Sequence, residues 1–359
     1  MMTQKELTEL NIGQNLDWLM NLDPRGYGVC RILYDAARKE TGEPLAMHAA
    51  KLLCDTVKEG DLVYILTGFV LLDHKQAEMD GIIGSMLLAR ALALGLGAKP
   101  IIVCPEENKK AVQNLSYIAG LHLYEDLNDV KTIPVSMGVV TFTKDKEKAD
   151  AQADELLRGA MSAAVLAIEC PGANSVGVYH NATGKDVTEL EAKSDILFVK
   201  LKEAGVLNIA IGDLGNELGM ARIAGQLENY VPYAGKDACA CGCGGGIASA
   251  AAADHVITAT VSDWGCYALI AAIAYLKGDL DIMHDGVLEE EAVRTASKSG
   301  MIDMYGWLIP AIDGFDVAIN KLIVDLMRQC ISYAPKLTEK CRHWFDGVIA
   351  KGFFDTYQG

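Results

Sequence analysis

Short apolar runs rich in branched residues alternate with helical stretches along most of this chain, and that alternation leaves few folds open. The runs are 61–66 (DLVYIL), closing on Thr67 and Gly68, then 100–104 (PIIVC), 132–142, 163–169 (AAVLAIE), 207–212 (LNIAIG) and 255–260. Between and after them, helical patterns cover 81–96, 106–118, 144–160, 189–203, a stretch from about 216, and 264–276. Strands that are apolar throughout and separated by helices imply a mostly parallel sheet covered by helices on both faces. The opening of the chain reads as helical, through Leu16, Leu19 and Met20 and later Leu45, Ala49 and Leu52. From Leu288 the chain reads as helical to its end. The expectation is a single α/β domain over 1–359, with a helical N-terminal segment over 1–60, a core over 61–314 and a helical C-terminal extension over 315–359.

Composition narrows the function. With 359 residues, 51% of them hydrophobic, the chain can bury a large core and cannot be a disordered protein. Acidic residues outnumber basic ones, 48 to 32, for a formal charge of −16. That surface repels nucleic-acid phosphates and anionic headgroups, so neither nucleic acid nor membrane is an expected partner. The opening MMTQKELTELNIGQNLDWLM lacks the apolar centre of a signal peptide, and the longest apolar run, 266–276, is too short to span a bilayer. A cytoplasmic protein follows, with its ten cysteines as reduced thiols.

In open parallel sheets ligands bind beyond the carboxyl ends of the strands. Three of the runs end there in polar, glycine-rich clusters. The first is Thr67-Gly68-Phe69, continuing through Asp73 and His74 to Glu78-Met79-Asp80-Gly81. The second is Glu169-Cys170-Pro171-Gly172, continuing to His180-Asn181 and Gly184-Lys185-Asp186. The third is Gly212-Asp213-Leu214-Gly215-Asn216-Glu217. Taken singly, Asp80 and Asn216 read as helix caps and the glycines as turn formers. Carboxylates brought together at three strand ends repel one another unless a cation joins them. Oxygen donors without a histidine or cysteine pair suit Mg²⁺ or Mn²⁺ rather than Zn²⁺. The helix starts at Gly81 and Asn216 would offer N–H groups to an anion.

Other chemistries fail on inspection. No G-x-x-x-x-G-K-[ST], G-x-G-x-x-G after a strand, G-x-S-x-G or H-E-x-x-H occurs. Cys239-Ala240-Cys241-Gly242-Cys243 places thiols at alternate positions, where they could bind a soft metal or form a redox pair; the spacing is unlike the usual zinc or iron–sulfur patterns, and the segment reads mainly as a flexible Gly/Cys loop. Of the histidines, His74 and His180 lie inside the clusters, whereas His48, His122, His284 and His343 carry no site context.

Together the clusters resemble the D-glutamate cyclase-like family. The resemblance rests on ECPG at 169–172, GVYHN with GKD at 177–186, and GDLGNELGM at 212–220, joined by TGF at 67–69, EMDG at 78–81 and SDWG at 262–265. It runs from about 23 to 314. Departures stand at Met79 and Ile82, where the family pattern has Glu-Thr-Asp-Gly-Pro, at Asp263, where it has Asn, and at Cys170, where it has Arg.

The resemblance implies dehydration of D-glutamate to 5-oxo-D-proline by a metal-dependent lyase. It places the metal, Mn²⁺ or Mg²⁺, on Asp80, Asp213 and Glu217. Glu169 or Glu78 would handle the proton. Thr67, Gly68, His180, Asn181, Asp186 and Asn216 would contact an acidic amino-acid substrate. A possible homo-oligomer would use 315–359. The same carboxylates also suit a Mn/Mg-dependent phosphatase, and a protein that binds a metal or an amino acid without turnover is the non-enzymatic alternative.

Overall fold

A computed structural model describes residues 2–355. The last four residues of the expected extension, 356–359, and Met1 lie outside the described residues. Three helices open the chain, α1 (Gln4–Met20), α2 (Val29–Thr41) and α3 (Leu45–Thr56). Strand β1 (Leu62–Thr67) leads through a small hairpin, β2 (Val70–Leu71) and β3 (Gln76–Ala77), into α4 (Ile82–Leu96). Then come β4 (Lys99–Cys104), α5 (Glu106–Ala119), β5 (His122–Tyr124), α6 (Leu127–Thr132), β6 (Ser136–Thr141) and α7 (Lys146–Gly159). The second half continues with β7 (Ala164–Ile168), α8 (Ser194–Glu203), β8 (Leu207–Gly212), α9 (Ala224–Tyr230), β9 (His255–Thr258), α10 (Ser262–Lys277) and α11 (Gly286–Lys298). A second hairpin, β10 (Ala311–Ile312) and β11 (Phe315–Asp316), precedes the long α12 (Val317–Ile349).

Seven strands form one parallel sheet in the order β5-β6-β4-β1-β7-β8-β9. Strands β1 and β7 are buried along their whole length, as helices on both faces require. Helix α10 is buried through its first three turns, packs against α3, α4 and α12, and explains why the apolar 264–276 stretch reads as core.

The topology fixes where chemistry can occur. From β1 the chain moves outward through β4 to β6, and from β7 it moves the other way through β8 to β9. The direction reverses between the neighbours β1 and β7, and such a switch point opens a crevice at the strands' carboxyl ends.

Three expectations need correction. No helix starts at 216: residues 213–220 form turns, and a short 3₁₀ turn (Ala221–Ile223) precedes α9. The stretch after Leu288 is not continuous helix, since α11 stops at Lys298 and the β10–β11 hairpin intervenes. Its turn, Asp313-Gly314, has φ of 54° and 79°, the left-handed pair that a two-residue hairpin turn demands. The third concerns 132–142, where α6 runs to Thr132 and the strand begins at Ser136, with β5 as an extra edge strand before it.

Candidate active site

Asp80, Glu169 and Asp213 converge at the switch-point crevice. Each can offer a carboxylate oxygen within 4.8 Å of the others, and all three are buried. Each arrives by a different strand: Glu169 directly follows β7, Asp213 directly follows β8, and Asp80 comes from β1 by way of the β2–β3 hairpin.

Local backbone makes the approach possible. Gly81 has φ of 83°, and a Cβ there would come within 2.5 Å of the Glu169 Cβ. Glu169 itself sits at φ 41°, a conformation that non-glycine residues rarely hold unless the surroundings enforce it. Its amide donates to the Ile211 carbonyl, and its side chain accepts a 2.6 Å bond from the Ser262 hydroxyl.

Asp80 and Asp263 cap each other's helices. Asp80 precedes α4, yet its carboxylate accepts from the amides of Ser262 and Asp263 in the first turn of α10, as well as from Gly81. Asp263, in that first turn, accepts from Gly84 at the start of α4. Helix starts have orphan N–H groups and favour negative charge, so this exchange locks two helices to one site. An asparagine oxygen could accept the Gly84 bond equally well, so the departure at Asp263 leaves the architecture intact.

Crowded negative charge dominates the electrostatics. Burial and then the Asp313 charge push Asp80 up to about 7, against its three backbone hydrogen bonds. Burial followed by Glu217, Asp80 and Glu78 holds Glu169 well above the usual carboxylate range. Asp213 is raised well above it by burial and then Glu169, and Glu78 by burial and then Asp313 and Asp80. A divalent cation would remove this shared cause.

Glu217, expected as a ligand, is occupied otherwise. Its carboxylate accepts from the amides of Asp213, Leu214 and Gly215, at 2.7–3.0 Å. It braces the turn that presents Asp213. Asn216 donates to the His180 carbonyl. His180 turns its Nε2 toward the thiols of Cys241 and Cys243. Asn181 and Asp186 accept bonds from their own loop, Asn181 from Thr183 and Lys185 and Asp186 from Thr188. Gly68, at φ 111°, packs against the Asn108 amide.

The fit to a cation is tested by what lacks a partner. Among the described residues, Thr67 Oγ1, Asn108 Oδ1 and Nδ2, Asn216 Oδ1 and Asp263 Oδ2 are buried without a hydrogen bond. Buried polar atoms are rarely left so; Thr67 Oγ1 lies beside Gly81, next to Asp80, and Asp263 belongs to the helix start that Asp80 caps, which fits a site with room for a polar ligand. An all-oxygen donor set suits Mg²⁺ or Mn²⁺.

Two site residues escape the strand-end reading. Arg25 donates to Asp313 at 3.0 Å and to the Thr260 carbonyl at 2.7 Å. Burial opposes its charge, but Asp313, Asp213 and Asp80 hold its pKa above the ordinary value. The sequence signals were DPRG at 23–26, which lies far from any strand end, and the Asp-Gly turn at 313–314. Where the family pattern has an arginine, Cys170 is a buried thiol, and Arg25 is a positive charge beside the carboxylates.

The chain is thus a doubly wound α/β protein with buried acidic residues at its switch point. The chain belongs to the D-glutamate cyclase-like family, whose C-terminal model matches residues 16–328. It is also 33% identical over 113 residues to the human protein "D-glutamate cyclase, mitochondrial", a match covering 31% of this chain and 17% of that protein. Among the described residues no helix is long and apolar enough to cross a membrane.

Proposed function

We propose that this protein is a hydro-lyase of the D-glutamate cyclase type, converting D-glutamate to 5-oxo-D-proline and water with a divalent cation held by Asp80, Glu169 and Asp213. The observation that carries the reading is the convergence of these three buried carboxylates at the switch point of a family member. In the reaction the α-amine attacks the γ-carboxylate of the same molecule, so ring closure is intramolecular and needs little further ordering. The cation supplies Lewis acidity, making a poor electrophile reactive.

The remaining work falls to the chain. Glu78, partly buried and raised well above its usual range by burial and its acidic neighbours, is the candidate to protonate the departing hydroxyl. Its conjugate carboxylate can then accept the proton that the amine loses. Glu169 is the other candidate for this role, but its carboxylate lying beside those of Asp80 and Asp213 favours a place among the cation's ligands. Arg25 supplies positive charge for a substrate carboxylate, with Asp313 fixing its guanidinium. Thr67 and Asn216, with unsatisfied buried oxygens, are candidates for substrate contact.

The proposal includes a cytoplasmic setting, supported by ten free thiols, although the human relative is named mitochondrial. It also includes self-association through α12, where Leu322, Leu326 and Tyr333 are exposed, to be checked by sedimentation velocity. A screen of D-glutamate, L-glutamate and a simple phosphoester, with Mg²⁺ or Mn²⁺ added, tests the function. Formation of 5-oxo-D-proline from the D-enantiomer supports it, and phosphoester hydrolysis alone rejects it.

A further inference from the structure

A second donor cluster lies in the loops beyond β7 and β8, and its chemistry is of the opposite kind. His180 and the three thiols of Cys239, Cys241 and Cys243 can each place one ligand atom within 4.8 Å of the others. His180 Nε2 lies 3.1 Å from Cys241 Sγ and 3.5 Å from Cys243 Sγ. Cys239 Sγ lies 3.4 Å from Cys243 Sγ and 3.6 Å from Cys241 Sγ. A tetrahedral ion with Zn–S bonds of ~2.3 Å and Zn–N bonds of ~2.0–2.1 Å sets its donors about 3.6–3.8 Å apart. The four separations, 3.1–3.6 Å, lie at or somewhat below those edges.

We propose that His180, Cys239, Cys241 and Cys243 form a tetrahedral site for one divalent ion of the zinc class, separate from the carboxylate site. Three thiolates and an imidazole favour zinc-like ions over the hard Mg²⁺ or Mn²⁺ that the carboxylates suit. As three sulfur–metal bonds form, three thiol protons leave to solvent and the centre carries one net negative charge. Donors already face that charge: Asn174 Nδ2 lies 3.3 Å and the Gly245 amide 3.4 Å from Cys243 Sγ. The same Asn174 group donates to the Gly246 carbonyl, tying the end of the cysteine loop to the loop after β7.

The loop's shape belongs to the site. Gly246 has φ of 71°, and a Cβ there would come within 2.3 Å of the Ala234 carbonyl oxygen, so the chain folds tightly back after Cys243. The Cys241 amide donates to the Gly184 carbonyl, and the Ala250 amide to Ala173. An ion held here staples 239–243 to 180, and the His180 carbonyl accepts from Asn216 beside Asp213. The ion's role is to fix the loops that wall the carboxylate crevice; it does not enter the chemistry there.

The test uses the full-length protein, purified under reducing conditions, stripped with chelator and then given Zn²⁺ or Co²⁺ in excess Mg²⁺. The expected result is one tightly held Zn²⁺ per chain. Co²⁺ should give the sulfur-to-cobalt charge-transfer band and intense visible bands of a tetrahedral thiolate centre. Cys241 is exposed, so Cys241→Ser should fold normally and weaken Zn²⁺ by more than the roughly 100-fold typical of losing a mere supporting contact. Asp213→Asn should leave Zn²⁺ affinity unchanged. The proposal is overturned by a wild-type protein that binds no Zn²⁺, by an octahedral Co²⁺ spectrum, by Zn²⁺ lost in Asp213→Asn but kept in Cys241→Ser, or by a disulfide among the three cysteines under reducing conditions.

Discussion

The carboxylates at the strand ends and the thiols of 239–243 are both tight donor sets, but the fold makes them by different means. Asp80, Glu169 and Asp213 are each within a few residues of a strand or helix end in the buried body of the molecule. Parallel pairing in register aligns the ends of β1, β7 and β8, so sheet formation alone brings their loops together. The thiols lie in a turn-rich segment between α9 and β9, and their partner His180 lies 61 residues before Cys241. The first set is an outcome of topology, whereas the second depends on loops that a bound ion would hold.

The comparison is broken most forcefully at Asp213. Asp213→Asn should remove the Mn²⁺-dependent rise in thermal stability and lower turnover by roughly 10³-fold, because several kcal/mol of charge stabilisation is at stake. Calorimetric scans with and without Mn²⁺, run beside an assay, check both. The same variant should keep its full complement of reactive and metal-protected thiols.

Glu78 sharpens the division of labour within the first set. Glu78→Gln should retain the metal-dependent stabilisation while turnover falls by roughly 10²–10⁴-fold, the usual loss when general acid–base help is removed. Equal turnover in this variant would return the proton-handling role to Glu169.

A third expectation is a pH effect. In the metal-free protein Asp80 titrates near 7 rather than near 3.8, because burial and Asp313 disfavour its charge. The folded chain then holds more protons than the unfolded chain between about 4 and 7, so stability should fall as pH rises through that window. Asp17 supplies an internal control. It caps α3 through the Leu45 and Ala46 amides, and burial likewise raises it to about 7. Saturating Mn²⁺ should cancel the Asp80 contribution to the slope in urea midpoints and leave that of Asp17. A slope indifferent to metal would separate Asp80 from the cation.

The smallest effect is expected at Asp263. Its carboxyl is held well above the usual range, by burial first and Asp80 second. Asp263→Asn preserves the acceptor for Gly84, so its stability should change by no more than about 1 kcal/mol, the worth of one ordinary hydrogen bond. Denaturant titration checks this.

What could be read in advance follows the same division. Apolar runs ending abruptly in Glu169, Asp213 or Thr67 carried the strands, their direction and the meeting of the acids, because parallel sheets bury both strand faces and expose only the ends. The turn at 213–217 reads falsely as a helix start, since Asn216 is a good cap in isolation and nothing local reveals that Glu217 takes the three amides. The hairpin carrying Asp313 was hidden by its apolar neighbours, although Asp-Gly is a strong turn signal. Arg25 was out of reach because its contact with Asp313 spans 288 residues. The alternate cysteines read as a loose loop because their fourth partner is supplied from another loop altogether.

The central claim is that Asp80, Glu169 and Asp213 hold the cation on which cyclisation depends. Its most direct test follows 5-oxo-D-proline formation from D-glutamate as Mn²⁺ is titrated into the chelator-treated protein, with Glu169→Gln beside the wild type. The account predicts no turnover without added hard cation, saturable activation of the wild type, and a variant that needs far more Mn²⁺ to turn over at all. Turnover that persists in chelator, or a Glu169→Gln variant activated by the same Mn²⁺ concentration as the wild type, would contradict it.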